Sequence, residues 1–227
     1  ENPPRLWTAG FMYELVPAEV LASPLVDEQA WLELRDSGRT PLDSSPLVTT
    51  EQSRLEFLTG AWLINRSVPV HRGGPLLNHL QPQMLRMSDM LAAGYQHNAV
   101  LMPRRSAKTT ALWCVLLGRA YLREVHMAGY AMLTTAQKAA ARFKEDVLEP
   151  IERQWPEASS RPVKLIRSNG AMRIDFPRTG SKLQILSPSG DAIRSGGYGT
   201  VVLDEGGEPE PAVWEDMDAS TLPTFDT

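Results

Sequence analysis

The chain has 227 residues, with 23 Lys and Arg against 27 Asp and Glu for a formal charge of −4, and 42% of its residues are hydrophobic. That balance supplies one large core, or a domain with a smaller appendage, and excludes disorder throughout; the mildly acidic total argues against a nonspecific nucleic-acid coat but permits local basic patches. No apolar run approaches the ~18 residues of a membrane helix, Glu1-Asn2-Pro3-Pro4 is neither the basic nor the apolar part of a signal peptide, and Cys114 is the only cysteine, which excludes an internal disulfide and points to a reducing cytoplasm.

Residues 1–75 read as an N-terminal helical, Pro-rich appendage and linker, because Pro3, Pro4, Pro17, Pro24, Pro41, Pro46, Pro69 and Pro75 interrupt short amphipathic pieces. Two helices are expected there, one over 27–35 around Trp31, Leu32 and Leu34, and one over 50–64 with Leu55, Leu58, Trp62 and Leu63 at helical spacing. Arg72-Gly73-Gly74-Pro75 marks the boundary of a second domain, 76–227. It opens with a helix carrying Leu80, Met84, Met87 and Leu91, followed by a short apolar strand, Ala99-Val100-Leu101-Met102. A helix over 109–122, a strand over 128–133 and a long helix over 136–154, bent at Pro150, come next. Two alternating strands, 172–176 and 183–186, are joined through Arg178-Thr179-Gly180-Ser181 as a tight hairpin, and an apolar strand spans 200–203. Strands alternating with helices predict an α/β domain with a largely parallel, buried sheet.

The stretch Pro103-Arg104-Arg105-Ser106-Ala107-Lys108-Thr109-Thr110 places a Lys and two hydroxyls where a buried strand is expected to turn into a helix. Helix N-termini carry unpaired N–H groups that can cradle a phosphate. A Lys there reaches its outer oxygens, and the next hydroxyl, Thr109, can hold Mg²⁺. Ala107 stands where such loops usually have Gly, and Ala can serve there if that residue keeps a negative φ. The expected partner is Val201-Val202-Leu203-Asp204-Glu205, an apolar strand ending in two carboxylates: Asp204 to hold the metal and Glu205 to orient and deprotonate the attacking water. Both motifs fall at the C-terminal ends of expected strands, where open α/β sheets bind ligands.

With these motifs the sequence resembles the ATPase domain of phage large terminase subunits, the motors that package double-stranded DNA into procapsids. The resemblance spans about residues 78–210. It rests on Arg104-Arg105-Ser106-Ala107-Lys108-Thr109, on Thr134-Thr135-Ala136-Gln137 with Ala140 and Phe143, on Gly180-Ser181-Lys182-Leu183-Gln184-Ile185-Leu186-Ser187, on Ile193-Arg194-Ser195-Gly196, and on the acidic strand end. It implies a P-loop NTPase of the RecA-like (ASCE) type, with a largely parallel central sheet flanked by helices. It also implies ATP and Mg²⁺ as cofactors, with 103–110 around the phosphates. Arg104 matches the additional Arg at the start of the family's loop, Gln83, with Gln81 second, its adenine-reading Gln, and Arg194 the arginine finger offered to a neighbouring subunit, so that an isolated fragment would hydrolyse weakly. Pro103 and Ala107 depart from the family's glycines. Double-stranded DNA, a homo-oligomeric ring, the portal protein and the small terminase subunit are the partners implied, in the host-cell cytoplasm and away from any membrane. The family's coupling motif and C-terminal nuclease domain would follow this chain, so no nuclease activity is expected of it. Another nucleic-acid translocase or helicase, or a non-hydrolysing scaffold, would use the same motifs.

Other features read more plainly. Between 161 and 182, Arg161, Lys164, Arg167, Arg173, Arg178 and Lys182 face Asp175 alone, a local charge of +5 and a candidate contact for a phosphate backbone or a solvated hairpin face. His71, His79, His97 and His126 lack metal-ligand spacing. Cys114, inside an apolar helix, reads as core, and Trp7, Trp31 and Trp62 as packing residues of the appendage.

Overall fold

The computed structural model describes residues 14–38, 47, 49–64, 80–92, 106–123, 127–132, 136–168, 171–186 and 200–204. They fall in two units, Glu1–Arg123 and Glu124–Thr227.

Every regular element among the described residues of the first unit is helical: α1 (Ala18–Leu21), a 3-10 turn (Pro24–Val26), α2 (Glu28–Ser37), α3 (Glu51–Leu63), α4 (Pro82–Ala92) and α5 (Lys108–Leu122). The ends of α2 and α3 are set locally. The Asp27 carboxylate accepts from the Ala30 N–H at 3.0 Å, and Gly38 closes α2. At α3, Thr50 Oγ1 accepts from the Ser53 N–H while Ser53 Oγ accepts from the Thr50 N–H, a capping box in which Ser takes the place of the usual Glu. Helix α3 is buried on every side from Ser53 to Leu63, and α5 is buried from Ala111 to Gly118. Each is therefore a central helix rather than one with a single buried stripe.

These two helices share the most extensive helix–helix interface of the unit, and glycine makes it possible. A Cβ on Gly60 would lie 1.8 Å from the Cys114 carbonyl oxygen, and one on Gly118 would lie 1.6 Å from that of Glu56. Because 60 faces 114 while 56 faces 118, the helices run antiparallel, with backbone against backbone at two points one turn apart. Trp31 and Phe57 meet edge to face at 5.7 Å, and Trp62 and Tyr121 do so at 6.0 Å.

Two buried ionic networks brace the same unit. Asp89 is fully buried; it accepts from Arg35 Nη1 at 2.9 Å and from Trp31 Nε1 at 3.1 Å, while Arg35 also reaches Asp36 and the Leu47 carbonyl. The Asp36 carboxylate, with a further contribution from Asp89, raises the Arg35 pKa against the opposing effect of burial. Glu56 is held by Arg119 at 3.3 Å and Arg123 at 3.0 Å, and Arg119 Nη2 donates to the Leu91 carbonyl at 2.8 Å, so α3, α4 and α5 are tied at one place. Burial lowers the Arg119 pKa, and the Glu56 carboxylate acts in the other direction.

The second unit contains β1 (Met127–Met132), α6 (Ala136–Phe143), a π-helical turn (Lys144–Leu148), α7 (Glu149–Gln154), a 3-10 turn (Ala158–Ser160), β2 (Lys164–Ser168), β3 (Ala171–Asp175), β4 (Lys182–Ile185) and β5 (Thr200–Asp204). The expected single helix over 136–154 is thus divided. Pro150 has no N–H to give to the turn before it, and the Glu149 N–H donates to the Lys144 carbonyl five residues back. The buried residues Ala139, Phe143, Val147 and Ile151 recur every four positions. In an unbroken α-helix that stripe would drift by about 40° per repeat; the wider turn absorbs part of the drift.

The sheet order is β2-β3-β4-β1-β5. It overturns the expected P-loop NTPase with a largely parallel central sheet: helices dominate the described residues, and β2, β3 and β4 form a small three-stranded antiparallel sheet, with parallel pairing only where β1 meets β4 and β5. The reason lies in the side-chain patterns. In β3, Arg173-Ile174-Asp175 alternates polar and apolar, as suits an antiparallel sheet with one solvated face, whereas Thr200-Val201-Val202-Leu203 is the near-continuous apolar run of a parallel strand. The hairpin joining β3 to β4 turns at Gly180, whose φ is 73° and whose N–H donates to the Phe176 carbonyl at 2.8 Å. A Cβ there would meet nothing within 4 Å, so Gly is required for its conformation and not for space. The strand expected over 99–102 lies outside the described residues.

Candidate functional site

Helix α5 begins at Lys108, directly after Ala107, whose φ of 58° and ψ of 21° put it in the left-handed region. Among the described residues it is the one non-glycine with positive φ. This differs from the negative φ anticipated for an alanine in the loop, and such a conformation costs an alanine about 1 kcal/mol. Replacing Ala107 by Gly is therefore expected to raise the stability of the first unit by about 0.5 kcal/mol; a lower urea midpoint for Ala107→Gly would show that the conformation is not strained.

No side-chain cap closes the start of α5 at residue 107. Lys108, Thr109 and Thr110 occupy its first turn and are half-buried. A helix start of this kind carries a partial positive charge of about half a unit, and Lys108 adds a full one. Ser106 Oγ is buried there without a hydrogen-bond partner, and the Ser106 carbonyl accepts from Gln83 Nε2 at 3.4 Å. The Gln83 amide also donates to Gln81 Oε1. Gln83, which the resemblance assigns to adenine, thus bridges the start of α4 to the loop that precedes α5.

Asp204 ends β5 and is buried. It belongs to the second unit, and Lys108 to the first. Pro103, Arg104, Arg105, Arg194 and Glu205 lie outside the described residues. The residues brought together are therefore Gln83 and Ser106, across 23 positions of chain, and the consecutive group from Ser106 to Thr110.

Sequence reasoning missed what seats α5. Gly118 and Arg119 fix this helix against α3, through Gly60 and Glu56, so the loop at its N-terminus stands on a rigid pair of helices. The signal was present as isolated glycines within two helical patterns, each costing about 1 kcal/mol relative to Ala and so implying a packing requirement. Cys114 lies in the same seam, and its burial pushes the thiol well above the usual range. It remains a neutral core side chain at physiological pH.

Compared with known proteins, the chain matches no family model and no curated sequence. Among the described residues, no helix is long and apolar enough to cross a membrane.

Proposed function

We propose that this chain is the ATP-hydrolysing part of a DNA-packaging motor of the phage terminase kind, working in the host-cell cytoplasm on double-stranded DNA. The reading keeps the residue roles but not the fold first expected for them. The observation that supports it most is the left-handed turn at Ala107 directly before Lys108 at the start of a 15-residue helix. That is the backbone form which a glycine supplies in phosphate-binding loops, and the helix start that follows it, with Lys108 in its first turn, carries the positive charge that suits an anion. Lys108 and Arg104 would hold the phosphates of ATP, with Arg105, Ser106 and Thr110 alongside, and Thr109 would take Mg²⁺; the resemblance assigns metal binding to Asp204 as well, the activation of water to Glu205, and a finger from a neighbouring subunit of a ring to Arg194. The portal protein and the small terminase subunit are the assembly partners under this reading.

The test is a titration of the chain with a fluorescent ATP analogue and Mg²⁺. Saturable binding is expected, weakened at least about tenfold by Lys108→Ala and retained by Glu205→Ala, which should abolish hydrolysis. A folded chain that does not bind the analogue would leave the non-hydrolysing scaffold as the better reading. Binding unchanged by Lys108→Ala would move the nucleotide elsewhere.

A further inference from the structure

The antiparallel part of the second unit carries an uneven distribution of charge that the strand register resolves. Lys164, Asp175 and Lys182 form one cross-strand row, and Ile166, Arg173 and Gln184 form the next row on the same face. The opposite face holds Ile174 and Leu183, both fully buried. Lys164 is exposed, while Ile166, Arg173, Asp175, Lys182 and Gln184 are partly so. Of the six basic side chains between 161 and 182, then, only three share this open face. Arg167 alternates to the other side and is held by Glu152 at 2.6 Å, and Arg161 is bound to the carbonyls of Trp155 and Pro156. Arg173 is engaged by Asp175 at 2.6 Å, whereas Lys164 and Lys182 make no ion pair with any described residue.

We propose that the open face of β2–β3–β4, through Lys164 and Lys182 with Arg173 in the neighbouring row, binds the phosphate backbone of duplex DNA without reading its sequence. Alternate strands put the Lys164 and Lys182 backbones about 10 Å apart. The Asp175 carboxylate lies between them and repels an anion at the midpoint, so the two ammonium groups reach separate phosphates of a repeating polyanion in preference to sharing one small anion. The face offers no aromatic side chain among these six residues, so it lacks the stacking platform that single-stranded nucleic acid uses. Among these six residues Ile166 is the one apolar side chain, too little to insert into a lipid surface. A backbone contact of this kind suits a motor, which must hold DNA of any sequence while moving it.

The inference rests on the DNA-handling half of the proposed function and not on the ATP site, and the experiment separates them. Anisotropy of a labelled duplex of arbitrary sequence is measured without nucleotide, across a salt series. The wild-type chain should bind with a log–log salt slope of about −3. Lys164→Gln with Lys182→Gln should weaken binding about tenfold at low salt and reduce the slope by about 2. Lys144→Gln with Arg167→Gln removes the same charge from outside this face and should leave binding unchanged. The proposal is overturned if the wild type does not bind the duplex, if both double variants weaken alike, or if phosphatidylserine vesicles bind through Lys164 and Lys182 while the duplex does not. The Lys164/Lys182 variant should still bind the ATP analogue. Duplex binding that follows this pattern in a chain unable to bind the analogue would count against the nucleotide reading and leave this surface standing.

Discussion

Replacing Gly60 or Gly118 by Ala is expected to destabilise the helical unit by about 3 kcal/mol or more. The added methyl would have to occupy space 1.8 Å or 1.6 Å from a backbone carbonyl oxygen. No side chain can rotate out of the way, so α3 and α5 must separate, by about 1.5 Å or more if ordinary contact distances are to be restored. That opens the seam between the two buried helices, and it stretches the Glu56 ion pairs with Arg119 and Arg123. At a typical urea dependence, the midpoint should fall by about 1.5 M. Because either methyl forces the same separation, the double variant should cost clearly less than the sum of the two single ones. A loss of less than about 1 kcal/mol in either single variant would show that the helices do not approach this closely.

Arg35→Met is the second large loss expected, about 3–5 kcal/mol. Asp89 has no exposed surface, and Arg35 Nη1 is its charged partner at 2.9 Å; without it the carboxylate keeps, among the described residues, the indole N–H of Trp31 alone. Most of the cost is that of a buried charge left unpaired, not the intrinsic value of the pair. Replacing both, as Arg35→Met with Asp89→Leu, should therefore recover most of the stability. About 1 kcal/mol should remain lost, because Trp31 Nε1 then has no acceptor. Equilibrium denaturation of the two single variants and the double gives the coupling energy directly, and additive losses would mean that the two residues act independently.

The helices were legible where apolar spacing and local caps agree, as for α2, α3 and α5, whose observed ends lie within two residues of those expected. Periodicity shows that a helix has buried positions but not what they touch, so the Gly60–Gly118 approach was visible only as two unexplained glycines. The sheet was misread by extending the pattern of the apolar strands to its alternating ones, although the hairpin at Gly180 already required antiparallel neighbours. Strand β2 was absent from the expectation. Lys164-Leu165-Ile166-Arg167-Ser168 is short and charged at both ends, and its strongest marker is the Asn169-Gly170 that follows it. At the candidate site, Lys108 at a helix start was legible from the change of pattern. The φ of Ala107 was not, because alanine carries no local preference for that region, and the contact of Gln83 with Ser106 was not, because it joins residues 23 positions apart.

The single thiol of the chain gives the first unit an internal clock. Cys114 is buried, and its own carbonyl oxygen is the atom that Gly60 approaches. A reagent can reach this buried sulfur only after the packing around it opens, so the rate of its modification reports openings of the helical core. One chemical label thus times the fluctuation of the core around the helix that Lys108 begins, with no probe to be introduced.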